Sequence, residues 1–444
     1  PGSNWGISLA AALEGSMTSS SCANAGFASS NTTNAGARPY FVVEYRNSAG
    51  LESYYTYQTH SIDRAGTGYI GDYSGQLTLV KNDVSSASTS NPVAINHVYN
   101  SAYSKAASSA INAVTETYGS MGVGRGWMLD IQQAIIPGNT GYLIYFDGDG
   151  TVHYFQGSGT QYTDEDGLGL TITKSGTNYT LKDKKDNISY FSDGLLSYTQ
   201  DANGNKVTYV RDSDDVILSV TRQNSGGSVE TIATFTYDSF GNVSTITDSA
   251  NNTTTFNYSG TDILSGVTHA DGTSVSYTYD ANGKLLSATD NESGYSMNYE
   301  YDANTGKVKK FYEVAGGTTG AIVEAEGAFT GIQTYQYCGP DRVLGNSDDI
   351  VSHSVMDYFG RTTSSYSTNY DGTLVYGASA TAYNANTGTS ATNNRALIST
   401  QTGVQSVNLL GYPSVEGTSN MDTAAAKAAA SSSANRAPVC APCS

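Results

Sequence analysis

A tandem repeat of Tyr-Asp motifs is the feature that most constrains how this chain can fold. The second tyrosine of the repeat recurs at spacings of 21, 21 and 22 residues, at Tyr237, Tyr258, Tyr279 and Tyr301. A fixed period in this range is typical of one supersecondary unit that is stacked on copies of itself. A unit of about 21 residues holds two strands of about six to eight residues and two turns. The spacing therefore predicts an all-β fold of stacked antiparallel hairpins, a solenoid-like sheet array.

Two details of the repeat predict its local geometry. Gly204 and Gly283 each follow an asparagine, and Asn-Gly pairs suit hairpin turns that need a positive φ. Val243 and Ile246 are apolar but lie three residues apart, whereas strict alternation along a strand needs an even spacing. This spacing predicts a β-bulge or a strong local twist in the hairpin.

The composition agrees with a strand-and-turn protein and excludes two functional classes. Only 14% of the residues are charged, whereas an average soluble domain has about 25%. The 34 tyrosines suit half-buried β surfaces, where the ring packs and the hydroxyl stays hydrated. A net charge of −18 argues against a nucleic-acid-binding protein, which needs a basic surface. No apolar stretch approaches the roughly 20 residues that cross a bilayer.

Changes in composition divide the chain into five regions. The predicted regions are an N-terminal arm at 1–37, a β-rich opening region at 38–188 with a candidate helical insertion at 101–118, the repeat array at 189–366, a degenerate β region at 367–414, and a low-complexity tail at 415–444 with a short Ala-rich helix. The chain begins at Pro1 without a methionine, which is expected of a mature protein after cleavage or of an excised fragment.

No catalytic constellation is visible in the sequence. The five histidines have no metal-ligand spacing, and no Gly-x-Ser-x-Gly motif is present. His97 lies in an apolar strand pattern and is expected to be a packed, hydrogen-bonded residue. We therefore expect a protein that is not an enzyme, has no catalytic residue and needs no cofactor, apart from the structural calcium considered next.

One loop has the oxygen-rich composition that calcium prefers. The candidate ligands are Asp341, Asn346, Asp348 and Asp349. The alternative is an ordinary turn that is stabilised by its own Asp and Asn side chains.

Cysteines and Asn-x-Ser/Thr triplets give further candidate sites of modification. The disulfide candidates are Cys22, Cys338, Cys440 and Cys443, and four cysteines allow three fully paired connectivities. The glycosylation candidates are Asn31, Asn178, Asn187, Asn242, Asn251, Asn252, Asn257 and Asn291. A chain this rich in Ser, Thr and Asn also produces such triplets by chance.

Three copies of one motif carry a resemblance to a known family. They are Tyr237-Asp-Ser-Phe-Gly241, Tyr279-Asp-Ala-Asn-Gly283 and Tyr301-Asp-Ala-Asn-Thr-Gly306. These repeats resemble the YD-repeat (RHS) family, and the chain looks like the repeat region of wall-associated surface proteins of Gram-positive bacteria. The resemblance implies a β-rich, secreted or surface-displayed bacterial protein. Some members wrap their repeats into a hollow shell around a toxin. This chain has few repeats. The release motif of such toxins contains an Asp-Pro pair, and none of the eight prolines of this chain follows an aspartate.

The predicted function is that of a non-enzymatic, extracellular structural protein that self-associates into a surface filament. Residues 40–45 resemble the closing strand of a module that often precedes this region in the family, and in this sequence we expect the strand to follow only the predicted arm. Such a strand can pair with the sheet edge of another molecule, and head-to-tail contacts of this kind build open fibres. The residues predicted to mediate assembly are Trp5, Leu9, Leu13, Tyr40, Phe41, Val42, Val43 and Tyr45. The alternatives are a surface adhesin that binds glycans and a shell fragment of a YD-repeat toxin-delivery protein.

Overall fold

A computed structural model describes residues 50–52, 55–89, 91–104, 122–165, 167–327, 332–356, 360–383, 396–401 and 407–408. These residues form antiparallel strands joined by turns, with two 3-10 turns at Asp63–Ala65 and Ser101–Tyr103. Within these ranges, no helix has the length and apolar character needed to cross a bilayer. All of them belong to one compact unit, Asn47–Ser444. The all-β prediction is confirmed.

The first part of the chain forms a five-stranded antiparallel sheet in which neighbours in sequence are neighbours in space. Its strands are β1 (Tyr57–Ser61), β2 (Thr67–Gly71), β3 (Leu77–Ser86), β4 (Val93–Asn100) and β5 (Trp127–Leu129).

The rest of the described chain is one long meander in which each strand from β6 to β28 pairs antiparallel with the next. Its strands are β6 (Ala134–Pro137), β7 (Tyr142–Phe146), β8 (Val152–Ser158), β9 (Gln161–Asp164), β10 (Thr171–Ser175), β11 (Asn178–Lys182), β12 (Ile188–Ser192), β13 (Leu195–Gln200), β14 (Lys206–Arg211), β15 (Ile217–Gln223), β16 (Val229–Tyr237), β17 (Val243–Asp248), β18 (Thr253–Ser259), β19 (Ile263–Thr268), β20 (Ser274–Tyr279), β21 (Leu285–Asp290), β22 (Ser296–Tyr301), β23 (Val308–Ala315), β24 (Thr318–Gly327), β25 (Ile332–Tyr337), β26 (Ile350–Met356), β27 (Thr362–Asn369), β28 (Leu374–Tyr383), β29 (Ala396–Gln401) and β30 (Val407–Asn408). Strand β30 pairs with β28.

The first eight strands of the meander close into a ring. Strand β13 pairs with β6 at Leu195 and Ala134. The amide of Ile135 donates to the Gly194 carbonyl at 2.8 Å on one side of this pair, and the amide of Leu196 donates to the Gln133 carbonyl at 3.1 Å on the other. A separate apolar core fills the ring. Its buried members are Ile135, Leu143, Tyr145, Phe155, Tyr162, Ile172, Tyr179, Leu181, Phe191 and Leu196.

The remaining strands, β14–β30, form a strip that continues the sheet beyond the ring. One face of the strip packs against the five-stranded sheet, and the two sheets share one hydrophobic core. The five-stranded sheet contributes Ile62, Ile70, Leu77, Leu79, Ile95, Tyr99, Trp127 and Leu129. The strip contributes residues from Val207 to Tyr337, including Phe235, Phe256, Tyr277 and Tyr299. The first aromatic residue of each repeat therefore points into this shared core.

A recurring aspartate turn joins the strands of the repeats. In the turn after β16, Asp238 Oδ1 accepts the amides of Phe240 at 2.8 Å and Asn242 at 2.9 Å. The amide of Gly241 donates to the Asp238 carbonyl at 3.1 Å, and Gly241 has φ +84°. Gly204 and Gly283 occupy the same turn position with φ +86° and +78°, which confirms the predicted Asn-Gly turns. The Tyr-Asp motif is thus the end of a strand followed by the residue that organises the turn.

A β-bulge at the motif tyrosine accounts for the irregular apolar spacing. In β16 and β17, Phe235 pairs with Ile246 and Tyr237 pairs with Val243, and the register shifts between Thr236 and Tyr237. Thr236 and Tyr237 are therefore opposite the three residues 243–245. The extra residue lets Val243 and Ile246 both face the core. The same shift recurs at the other repeat tyrosines, which confirms the predicted bulge.

Several predicted regions lie outside the described residues. These are the arm at 1–37, the tail at 415–444 and most of the candidate helix at 101–118, of which Ser101–Tyr103 is a 3-10 turn.

Candidate functional site

The interface between the two sheets is built around two buried histidines, of which His97 is the more central. His97 is fully buried on β4, and its Nε2 lies 3.1 Å from the Tyr277 hydroxyl of the strip. Its Nδ1 lies 2.7 Å from a carboxylate oxygen of Asp83. The ring packs against Trp127 at 5.1 Å and against Phe256 at 5.4 Å between centroids. His97 is therefore the packed, hydrogen-bonded residue that the sequence predicts.

His60 makes the equivalent contact one repeat further along the strip. Its Nε2 lies 2.6 Å from the Tyr299 hydroxyl, and its ring stacks on Phe311 at 5.3 Å. Burial lowers the pKa of His60 to about 3, because a charged imidazole is poorly solvated among aromatic rings. Within the described part of the chain, its Nδ1 has no hydrogen-bond partner. This imidazole is neutral and packed, which suits cohesion between the sheets.

The second tyrosine of each repeat ties one hairpin to the preceding one. Each hydroxyl donates to a backbone carbonyl of the previous hairpin. The pairs are Tyr237 with Ile217 at 2.7 Å, Tyr258 with Val243 at 2.8 Å, Tyr279 with Leu264 at 2.6 Å and Tyr301 with Leu285 at 2.9 Å. Burial raises the pKa of all four phenols. The fixed spacing of these tyrosines therefore produces one such hydrogen bond per repeat. We call this series of bonds the tyrosine ladder.

Ion pairs fix the edges of the same interface. Arg125 donates from Nη2 to Asp262 at 2.7 Å and from Nε at 3.1 Å. Its amide also donates to the Asp262 carbonyl at 2.6 Å. Arg64 pairs with the buried carboxylate of Asp290 at 2.9 Å. Both arginines belong to the part of the chain that carries the five-stranded sheet, and both aspartates belong to the strip.

A cavity of about 630 Å³ adjoins the closed ring. Its lining includes Leu51, Glu52, Tyr145, Asp147, His153 and Leu170. The ligand atoms of Glu52, Asp147 and His153 all lie within 4.8 Å of one another. The sequence alone does not reveal this cluster, because Asp147 and His153 flank one turn and Glu52 comes from a distant segment.

The electrostatics of this cluster follow from burial and close carboxylates. Burial and the neighbouring charge of Asp147 raise the pKa of Asp149 to about 8. Burial opposes ionisation of Asp147 too, but hydrogen bonds from His153 and from Asp149 hold the pKa of Asp147 below its usual value. The Asp147 carboxylate is thus the one that is held ionised beside the His153 imidazole.

The predicted calcium loop is organised by one buried carboxylate. Asp349 accepts the amides of Gly339 at 2.9 Å and Gly345 at 2.6 Å, and the side-chain amide of Gln336 at 2.7 Å. Asp341 accepts the side-chain amide of Asn346 at 2.7 Å, and Asn346 Oδ1 accepts the amide of Asp348 at 3.1 Å. Among the described residues, the three carboxylates of the loop do not gather within 4.8 Å of one another. Calcium binding at this loop stays a prediction.

The structure places only part of the other predicted sites. Cys338 is buried, and its sulfur accepts the amide of Ile322 at 3.1 Å. Asn242 is buried, with its side-chain amide bonded to Asp238 and to the Thr261 carbonyl, so it is not accessible to a glycosyltransferase in the folded chain. The candidates Asn251, Asn252, Asn257 and Asn291 are exposed, and Asn178 and Asn187 are half-buried. The remaining candidates, Asn31, Cys22, Cys440, Cys443 and every predicted assembly residue from Trp5 to Tyr45, lie outside the described residues.

Comparison with known proteins places the repeats in a family. The Teneurin YD-shell family matches residues 174–422, which is 249 of 444 residues and more than half of the chain. No curated protein matches the chain.

Solved TcdB2-TccC3 structures are similar at low identity. The TcdB2-TccC3-TEV crystal structure is 12% identical with a TM-score of 0.34, over 78% of this chain and 17% of that one. The structure of TcdB2-TccC3 without its hypervariable C-terminal region is 10% identical with a TM-score of 0.26, over 77% of this chain and 28% of that one. The chain spans less than a third of the length of these proteins. The tyrosine ladder, the stacked hairpins and the family match together show that the chain belongs to the Teneurin YD-shell family.

Proposed function

We propose that the chain is a non-enzymatic structural module. The observation that carries this proposal is the pairing of polar groups between the two sheets, which is buried at the two histidines and partly exposed at Arg125 and Asp262. His97 bonds Tyr277, His60 bonds Tyr299, and Arg125 bonds Asp262. Side chains that often perform chemistry are thereby used to hold one sheet against the other. Such networks favour a rigid, uniquely packed interior.

The module acts outside the cell, displayed on a bacterial surface. The repeats resemble those of surface proteins, and the YD-shell match agrees with that resemblance. The low content of charged residues and the many short strands suit a durable scaffold.

Copies of the module assemble into a filament by strand pairing. Among the described residues, β1 pairs with β2 alone and has no strand partner at its other edge. An open edge is a template for strand addition from another chain. The segment 40–45 supplies that strand to a neighbouring copy, and the contact repeats head to tail.

Negative-stain electron microscopy of the full chain tests this proposal. Regular filaments are expected from the intact chain, and single particles are expected after deletion of residues 1–45. The variant Val42→Pro removes one amide donor from the predicted strand and should shorten or abolish the filaments. A matched control is Ser20→Pro, which lies in the arm outside the strand and should assemble normally.

The outcomes separate this function from its alternatives. Filaments that persist without residues 1–45 would refute strand donation. Single particles from the intact chain would refute self-assembly and favour an adhesin or a fragment of a larger YD-repeat shell.

A further inference from the structure

We propose that Glu52, Asp147 and His153 form a binding site for a divalent transition-metal ion, with zinc as the best-suited ion. Zinc takes imidazole nitrogen and carboxylate oxygen as ligands. His153 offers one imidazole nitrogen, and the two acidic residues offer one carboxylate oxygen each. A donor set that includes imidazole favours zinc over calcium or magnesium, which prefer oxygen ligands alone.

The distances within the cluster suit a single ion. Nε2 of His153 lies 3.2 Å from Oε1 of Glu52 and 3.2 Å from Oδ2 of Asp147. Two ligand atoms that each bind one zinc ion at about 2.0–2.1 Å with a tetrahedral angle lie about 3.3 Å apart. Two carboxylates converge on the same imidazole nitrogen, which can donate a single proton. The two carboxylate oxygens lie within 4.8 Å of each other, so one ion beside the imidazole nitrogen would bond all three atoms after a small adjustment of the side chains.

The side chains are held in place by the surrounding structure. His153 and Glu52 are 4% and 8% exposed, and Asp147 is 23% exposed. The imidazole stacks on Tyr145 at 5.5 Å between ring centroids. The amide of Glu52 donates to the Tyr57 hydroxyl at 2.6 Å. Ligands that are oriented by a second layer of contacts bind metal ions more tightly than free side chains do.

Asp149 and Gly50 bring the distant Glu52 to the hairpin. The amide of Leu51 donates to Asp149 Oδ2 at 2.7 Å. Gly50 has φ +101°, and a Cβ at this position would clash with Thr151 Oγ1 and Asp149 Oδ1. Only glycine allows this close approach. These contacts hold the backbone at Leu51 against the turn, one residue before the proposed ligand Glu52.

The bound ion would link two parts of the fold. Glu52 precedes β1, whereas Asp147 and His153 belong to the hairpin of β7 and β8 in the ring. All three residues line the cavity of about 630 Å³, which gives the ion a route of entry and leaves a coordination position for water or a small anion. The ion would therefore join the start of the five-stranded sheet to the closed ring.

The test is titration of the full chain with zinc chloride after treatment with a chelator. Thiolates also bind zinc, so the titration uses a Cys440→Ser/Cys443→Ser background. We expect one zinc ion per chain and a rise in melting temperature on binding. Glu52→Gln and Asp147→Asn keep the size of each side chain and should weaken binding at least tenfold. His353→Gln alters a histidine outside the cluster and should bind zinc like the parent.

Cobalt substitution provides a second readout that needs no variant. Cobalt at this site should give the visible absorption of a low-symmetry site with nitrogen and oxygen ligands, without a thiolate-to-cobalt charge-transfer band. The proposal is overturned if the chain binds no zinc or if Glu52→Gln and Asp147→Asn bind it as tightly as His353→Gln. A thiolate band that accounts for all of the bound cobalt would overturn it as well.

Discussion

Trp127 donates its indole N–H to the hydroxyl of Tyr279 at 2.8 Å, and the same hydroxyl donates to the Leu264 carbonyl at 2.6 Å. One phenol therefore serves both the tyrosine ladder of the strip and the contact with the five-stranded sheet. Tyr258, one repeat earlier, donates to the Val243 carbonyl at 2.8 Å, and Trp127 bonds the later tyrosine. Tyr279 and Tyr258 can therefore be compared as matched positions of the tyrosine ladder, one with the Trp127 contact and one without it.

Tyr279→Phe should destabilise the protein more than Tyr258→Phe does. The first change leaves the indole N–H and a carbonyl without this partner in the core, which should cost about 2–4 kcal/mol of unfolding free energy. The second change leaves only the Val243 carbonyl without this partner and should cost about 1–2 kcal/mol. Urea unfolding of both variants measures the difference. Equal losses would show that the contact with Trp127 does not stabilise the interface.

The turn position of Gly241 should tolerate asparagine better than alanine. Gly241 has φ +84°, and a Cβ there would meet no atom within 4 Å, so only the backbone conformation opposes a side chain. Asn251 holds the same position in the next turn, between β17 and β18, with φ +66°. Gly241→Ala should cost about 1–2 kcal/mol, and Gly241→Asn should cost less than about 1 kcal/mol. Thermal unfolding gives the order, and equal losses for the two variants would contradict the account.

Asp130 should make the protein less stable as the pH rises from about 4 to about 6. Burial, with a further contribution from the charge of Asp83, raises the pKa of Asp130 to about 6. In this window the folded chain retains a proton that the unfolded chain has released, so the unfolding free energy falls with rising pH, by at most about 3 kcal/mol. Asp130→Asn removes this fall. Its stability relative to the parent should therefore be greater at pH 7 than at pH 4.

Asp271 provides a control with the opposite sign. Hydrogen bonds from the side chain and amide of Thr273 lower the pKa of Asp271. A lowered carboxyl pKa stabilises the folded chain at neutral pH, and the stabilisation is lost as the pH falls through the folded pKa. Asp271→Asn should therefore lose stability at pH 7 and little at pH 3. If the stabilities of Asp130→Asn and Asp271→Asn relative to the parent change in the same direction with pH, the raised pKa assigned to Asp130 is wrong.

Calcium at the loop 341–349 has its own test. If the loop binds calcium, the melting temperature in calcium should exceed that in a calcium chelator, and Asp341→Asn should remove the difference. Asp349→Asn should destabilise the chain in both conditions, because Asp349 accepts amides from Gly339 and Gly345. Identical melting temperatures with and without calcium would rule out the predicted site.

The local features of the fold could be predicted from the sequence because they depend on neighbouring residues. Gly204 and Gly283 mark the turns, and the three-residue spacing of Val243 and Ile246 marks the bulge. The Tyr-Asp period gives the hairpins. Each of these signals lies within one repeat, where side-chain direction and backbone conformation are set by sequence spacing.

The nonlocal contacts could not be predicted from one sequence. Pairing of Leu195 with Ala134 closes the ring, although no local pattern distinguishes this pair from other apolar residues. Glu52 joins His153 because Asp149 and Gly50 hold the intervening backbone in place. The sequence identifies His97 as a packed residue but not its contact with Tyr277. Such contacts depend on how whole sheets pack, which a single sequence does not encode in its spacing.

Hydrogen exchange of the native chain tests most directly whether the two sheets form one structural unit. We predict that the amides of β4, which carries His97, and of β20, which carries Tyr277, exchange with the same free energy of opening. That value should match the unfolding free energy from urea, and Tyr279→Phe should lower it equally in both strands. Exchange of β4 at a clearly lower free energy than β20 would show that the five-stranded sheet opens by itself, and would contradict an interlocked module.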